Sequence, residues 1–240
     1  MSRGHDLRVE MPGTLEGVDD FCGQFRHWYR ETGPATSRFA VELLLREALT
    51  NAVKYGAGPG VPVTCLLRGG RNRLVIAVRD QGAGFDWKSV SRRAPEDEPA
   101  TGGRGLEIFR RYADRVRFNQ QGNALVLVKL FRQPARTKEM HKMINDTSTT
   151  VLRPTGDVVA SAVPGLRAEM RDLVQAGTKQ LIVDLRNVHM VDSAGLGLLI
   201  AAHNSLKKIG GEMSVIQASA DILELLTTLR MNQHFSIQGQ

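Results

Sequence analysis

The chain has 240 residues, 42% of them hydrophobic, with 32 basic against 25 acidic residues and a formal charge of +7. That length exceeds what one average domain needs, so two domains with separate cores are expected. The longest apolar run, "AGLGLLIAA", falls far short of the roughly 18–20 residues of a bilayer span, and "MSRGHDLRVEMPG" lacks the apolar stretch of a secretory leader, so the sequence predicts a soluble, cytoplasmic protein with no membrane partner.

In chain order, "LRVEM" reads as a short strand, residues 15–31 as a helix, and residues 37–55 as a stronger helix with Val41, Leu44, Leu45, Ala48 and Ala52 on one face. The runs "VPVTCLLRG" and "RLVIAVRD" form a hairpin pattern around "GRN". "GAGFDWKSVSRRAPEDEPATGGRG" follows, a long segment rich in glycine, proline and charge, of the kind usually functional or mobile in a compact domain. A helix from Leu106 and a strand, "NALVLVKLF", end this half. Cys22 and Cys65 have no CxxC or Cys/His ligand spacing, which predicts buried, reduced thiols and no metal cage.

Residues 132–147, "RQPARTKEMHKMINDT", are polar and without periodicity and read as a linker, giving domains 1–131 and 148–240. Beyond it strands and helices alternate: strand "TTVLRPTG", helix 161–176, strand "KQLIVDL", helix from 193, strand "MSVIQA", helix from 220, with a closing element that is short or missing. The fold class is therefore α/β in two domains. Residues 1–131 hold 20 Lys and Arg against 15 Asp and Glu, and the second domain is near neutral. Arg110, Arg111, Arg115 and Arg117 form the one dense basic cluster, which without a nucleic-acid motif reads as a solvated face or a protein-docking patch.

Three segments of the first half carry chemistry. In "REALTNAVKYG", Glu47 and Asn51 lie four apart, on one face of a helix, offering a base and a neutral oxygen ligand; alone, such a pair more often marks a solvated face. In "VRDQGAGF", Asp80 ends a strand before Gly82 and Gly84, where a carboxylate can accept from an exocyclic amine and glycine lets backbone approach a flat ligand. In "GGRGLEIF", Gly102, Gly103 and Gly105 lead into a helix, whose first amides favour phosphate. No P-loop is present, and "GAGFDW" lacks the dinucleotide-binding spacing.

In this order the three segments resemble the boxes of the GHKL ATPase superfamily, in its anti-sigma-factor serine kinase branch, over about residues 7–131. The resemblance implies an α/β sandwich using ATP and Mg²⁺. Asn51 would bind the metal and Asp80 would recognise adenine, with Gly82 and Gly84 making room for it. Gly103, Arg104 and Gly105 would meet the phosphates, residues 86–102 would form the ATP lid, and Glu47 would be the catalytic base. Asn123 stands where many relatives carry a threonine.

In "VDSAGLGLLIAAHN", either Asp192 or Ser193 could cap the helix that follows. The G-x-S-x-G elbow is absent, and His189 in "NVHMV" fits a packed histidine better than a triad base. The segment from "LIVDLRN" to "GGEMSVI" resembles the STAS domain of anti-sigma-factor antagonists, over about residues 148–235. In that family the serine after the aspartate accepts phosphate, which maps onto Ser193; Ala194 removes a second hydroxyl seen in some relatives. Together the two resemblances imply a partner-switching regulator: an ATP·Mg²⁺-dependent serine kinase, a phosphotransferase, fused to its own phosphoacceptor. Its partners would be a sigma factor or other switching protein, a phosphoserine phosphatase, and the STAS domain in cis or in a second protomer of a homodimer, with no direct nucleic-acid contact. The alternative is a non-catalytic module in which ATP gates docking and Ser193 only caps the helix.

Overall fold

A computed structural model describes residues 6–34, 37–56, 58, 60–70, 72–87, 104–131 and 149–240. These form two compact units, one up to residue 131 and one from residue 149. The segment read as a linker and most of the segment read as a lid, residues 88–102, lie outside the described residues.

The first unit starts with strand β1 (Asp6–Met11) and helices α1 (Leu15–Thr32) and α2 (Arg38–Tyr55). The hairpin of β2 (Val63–Gly70) and β3 (Arg73–Arg79) is followed by α3 (Arg104–Tyr112), β4 (Arg115–Phe118) and β5 (Ala124–Leu130). The five strands are antiparallel in the order β1-β2-β3-β5-β4. Period-2 alternation turns Val63, Cys65, Leu67, Leu74, Ile76 and Val78 to a buried face, and α2 packs against β2, β3 and β5 there. Strand β4 is absent from the sequence reading, because "RVRF" is too short to show its period against the arginines around it.

Helix α2 departs from the one-sided stripe expected of it. Every residue from Val41 to Thr50 is buried, Glu42, Arg46 and Glu47 included. Two of these charges meet partners on α1: Arg26 Nη2 lies 2.7 Å from Glu42 Oε1, and Arg46 pairs with Asp19. A buried charge without such pairing would cost several kcal/mol, on the order of 3–5, so these pairs hold α1 and α2 in register. Cys22 and Cys65 are buried and reduced, and burial pushes the Cys22 thiol up to about 12.

In the second unit the strands β6 (Thr149–Leu152), β7 (Gln180–Asp184), β8 (Glu212–Ala218) and β9 (Ser236–Gly239) are parallel and adjacent in that order. Parallel pairing requires crossovers, and α4 (Val163–Gln175), α5 (Ser193–Lys208) and α6 (Ala220–Thr228) supply them. The closing element is thus the short strand β9. Among the described residues no helix is long and apolar enough to cross a membrane.

His203 on α5 faces the closing segment, its ring centroid 6.1 Å from that of His234 and 6.0 Å from that of Phe235. Its Nδ1 has no hydrogen-bond partner among the described residues. Burial, with the nearby charges of His234 and Lys207, holds the imidazole below its ordinary 6.5. The unfolded chain therefore binds this proton at higher pH than the folded one, so His203 lowers stability as pH falls through about 6.5 and leaves it unaffected above. Melting temperatures of His203→Gln measured from pH 7.5 to 5 should fall less steeply than those of the parent, and parallel curves would show that His203 contributes none of the acid sensitivity.

Candidate functional site

Helix α2 presents Glu47 and, one turn later, Asn51. Glu47 is 1% exposed, which removes the solvated-face alternative, and Asn51 is half-buried. The first turn of α3 presses against both: a Cβ at Gly105 would lie 2.9 Å from Glu47 Oε2 and 3.2 Å from Asn51 Nδ2. Glycine therefore lets a helix N-terminus, with its unsatisfied amides and positive end, come directly over a carboxylate and an amide. Arg104 is the first residue of α3 and half-buried, while Gly102 and Gly103 lie outside the described residues.

Asp80 follows β3 at the carboxyl end of α2. A Cβ at Gly56, the C-cap of α2, would lie 3.0 Å from Asp80 Cβ, and one at Gly82 would lie 2.9 Å from Asp80 Oδ1 and 2.7 Å from the Gly56 carbonyl carbon. The Gly82 amide donates to Asp80 Oδ1 at 2.7 Å, while Oδ2 accepts no hydrogen bond from the described residues. Glu47 and Gly56 are separated by about 13 Å along the helix axis at 1.5 Å per residue, so the polar groups lie along α2 with a spacing suited to an extended ligand.

Asn123 holds this turn from the opposite side. Its backbone carbonyl accepts from Asp80 N at 3.0 Å, its Nδ2 donates to Gly82 O at 3.1 Å, and its Oδ1 accepts from Asn119 Nδ2 at 2.7 Å. Both ends of the amide are thus committed to the scaffold. Gly84 has φ +79°, and a Cβ there would lie 2.0 Å from Gln121 O, so this glycine answers to the β4–β5 loop.

In the second unit the cap of α5 is Asp192. Its Oδ1 accepts from Gly195 N at 2.9 Å and its Oδ2 from Ala160 N at 2.8 Å. The possibility that Ser193 caps the helix is corrected here: Ser193 already has helical position, as the first residue of α5, and a cap must stand one residue earlier. The loop before it is clamped by Asp157 Oδ1, which accepts from His189 N at 2.9 Å and Met190 N at 3.0 Å. Gly195 admits the Val158 carbonyl, which a Cβ would meet at 2.0 Å. His189 is exposed, contrary to the packed histidine expected of its apolar neighbours, because Val188 and Met190 take the inward positions. Burial raises the Asp184 carboxyl, but bonds from Arg186 and Arg153 outweigh it and hold the group below its ordinary value.

Residues 11–129 match the model of the histidine kinase-like ATPase domain family, and residues 141–239 match that of the STAS domain. The chain is a histidine kinase-like ATPase domain followed by a STAS domain. Among solved structures it is similar to a proposed anti-sigma factor antagonist from Thermotoga maritima, at 16% identity over 41% of this chain and 84% of that one, with TM-score 0.37. It is also similar to the anti-sigma factor antagonist SpoIIAA in its unphosphorylated form, at 20% identity over 41% of this chain and 84% of that one, with TM-score 0.33. The RsbU and RsbW domains of Rv1364c from Mycobacterium tuberculosis match at 17% identity over 56% of this chain and 35% of that one, with TM-score 0.36.

The structure brings Glu47, Asn51 and Gly105 of the ATPase domain together, and Asp80 and Gly82 together at the other end of α2. Gly56, Asn123, Asp157 and Gly195 hold the two sites without having been singled out for it. Gly56 had a local signal as the glycine closing a helix. The other three act through contacts distant in sequence.

In the STAS domain, Asp192→Ala removes a cap and strands two buried amides, and should destabilise the domain by about 2 kcal/mol or more in chemical denaturation. Ser193→Ala, which keeps the cap, should cost clearly less. Equal losses in the two variants would contradict the assignment of the cap.

Proposed function

We propose that the ATPase domain is a serine kinase that transfers the γ-phosphoryl group of ATP to Ser193 of a STAS domain, and that this modification changes which protein the STAS domain binds, as in partner-switching control of a sigma factor. The observation that carries this reading is the meeting of Glu47, Asn51 and the first turn of α3 at Gly105. A base, a neutral oxygen ligand and anion-binding amides stand together there, the set that positioning-based phosphoryl transfer requires.

The donor set fits Mg·ATP. Asp80 Oδ2 would accept from the exocyclic amine of adenine, with Gly82 and Gly84 bordering the ring. The amides of Gly103, Arg104 and Gly105 would receive phosphate oxygens. Asn51 Oδ1 would ligate Mg²⁺, which supplies charge neutralisation on the phosphates when bound. No group of three His, Cys, Asp or Glu able to hold a metal exists among the described residues, and a hard cation with one protein oxygen completes its shell from phosphate and water. Glu47 would take the proton of the attacking Ser193 Oγ as the new O–P bond forms and the bond between the β-bridging oxygen and the γ-phosphorus breaks, releasing ADP.

Ser193 suits the acceptor role. It is half-exposed at the start of α5, beside a cap formed by its neighbour, and a helix N-terminus tolerates the roughly −1.5 to −2 charges that phosphate adds. The assignment of the cap to Asp192 also counts against the reading in which Ser193 is only a structural cap.

Intact mass after incubation with Mg·ATP tests the proposal: one phosphate should appear on the parent and none on Ser193→Ala. Glu47→Gln should bind ATP within about threefold of the parent and lose about 10²–10⁴-fold in transfer rate. Asp80→Asn should lose ATP binding in calorimetry, since the exchange turns part of an acceptor pair into a donor facing an amine. Full phosphorylation of Glu47→Gln would assign the base elsewhere. Mixing Glu47→Gln with Ser193→Ala chains separates the routes, because transfer within a chain labels neither and transfer between chains labels the first.

A further inference from the structure

The helices of the ATPase domain take one face of its sheet, and the register defines what stands on the other. Cross-strand partners share a face, so Arg8, Leu66, Ala77, Val126 and Arg117 form one row across it. Asp6, Arg68, Val75, Val128 and Arg115 form the next row. Arg73 and Arg79 share this face at the two ends of β3, as does Leu130, 37% exposed. Every one of these arginines is exposed, and Leu66, Val75, Ala77, Val126 and Val128 between them are half-buried.

The face thus has an aliphatic centre and an arginine rim, with Arg8, Arg115 and Arg117 on the edge strands β1 and β4 and Arg68, Arg73 and Arg79 on β2 and β3. Six arginines stand there against two acids, Asp6 and Glu10, and Asp6 is already paired with Arg68 at 3.0 Å. The basic cluster seen in the sequence divides accordingly. Arg115 and Arg117 belong to this face, while Arg110 and Arg111 lie in the last turn of α3 on the helix side.

We propose that this face docks an acidic amphipathic segment of a partner protein, with its apolar residues over Leu66, Val75, Val126 and Val128 and its carboxylates on the rim arginines. An apolar centre with arginine around it is the composition of protein–protein interfaces. A second copy would bring two strongly positive faces together. Among the described residues no aromatic ring stands on this face as a platform for nucleic-acid bases, since Phe118 pairs with buried Leu125 on the helix side. The aliphatic side chains at the centre are half-buried between exposed arginines, whereas membrane insertion calls for exposed apolar side chains.

The proposal is independent of phosphoryl transfer and is tested without ATP. The full chain is titrated against a fluorescein-labelled amphipathic peptide of leucine and glutamate, read by anisotropy at roughly 0.1 M salt, where exposed charges beyond about 10 Å are screened. Arg115→Glu/Arg117→Glu should weaken binding by about tenfold or more, and Arg110→Glu/Arg111→Glu, the same charge change on the helix side, should leave it within about twofold. Circular dichroism melts identify a variant that fails to fold, and Arg115→Gln/Arg117→Gln then replaces it with the same expected direction. Equal weakening by both pairs overturns the proposal. So does tighter binding of a single-stranded oligonucleotide or of phosphatidylserine vesicles that is lost in Arg115→Glu/Arg117→Glu, or a dimer in sedimentation that the same variant breaks.

Discussion

A Cβ at residue 105 would crowd the ends of Glu47 and Asn51, at 2.9 Å and 3.2 Å, and that close approach shapes the ATPase site. The first turn of α3 packs on α2 at Glu47, and with α1 and the strands β2, β3 and β5 against its other sides α2 is buried along most of its length instead of along one stripe. Burial in turn obliges the other charges on α2 to find partners, which Asp19 and Arg26 on α1 provide. The helix layer is thereby locked to the sheet by ion pairs as well as by apolar contact, and the polar groups along α2 inherit that rigidity.

The STAS domain applies a different device. There, carboxylates organise backbone amides: Asp157 holds those of His189 and Met190, and Asp192 joins the 157–160 segment to the first turn of α5. Bonds to charged acceptors are the stronger class of hydrogen bond, so these carboxylates are the main anchors of the loop. A residue in that position can change its charge while the loop keeps its anchors, which is the physical requirement of a switch that alters a surface and preserves a fold.

Electrostatics divides the ATPase domain by layer. On the helix side, buried Arg46 and partly exposed Arg26 are spent on internal pairs, whereas on the open face of the sheet arginines surround aliphatic side chains and face solvent. The excess positive charge of the first half is therefore an organised surface feature, and the near-neutral second half shares none of it.

The elements of both domains were legible in the sequence wherever a period persisted: the two long helices, the β2–β3 hairpin, and the strand–helix alternation of the second half. Strand β4 escaped because four residues carry barely two repeats of alternation, and β9 was anticipated only as a short closing element. In the site, Glu47, Asn51, Asp80, Gly105 and Ser193 stand in local patterns that each also fit a plain structural reading, and it is the resemblance of those patterns, in their order, to the GHKL boxes and the STAS motif that singles them out. Only the tertiary structure decided that Glu47 is buried, that Asp192 and not Ser193 caps α5, that Asn123 is committed to the Asp80 turn, and that Arg115 and Arg117 share a face with Arg8 and Arg68. Each of those depends on strand register or on which backbone approaches a side chain from a distant segment. Hydrophobic and turn periodicities are local properties of the chain, whereas burial, cap choice and shared faces are set by what packs against it.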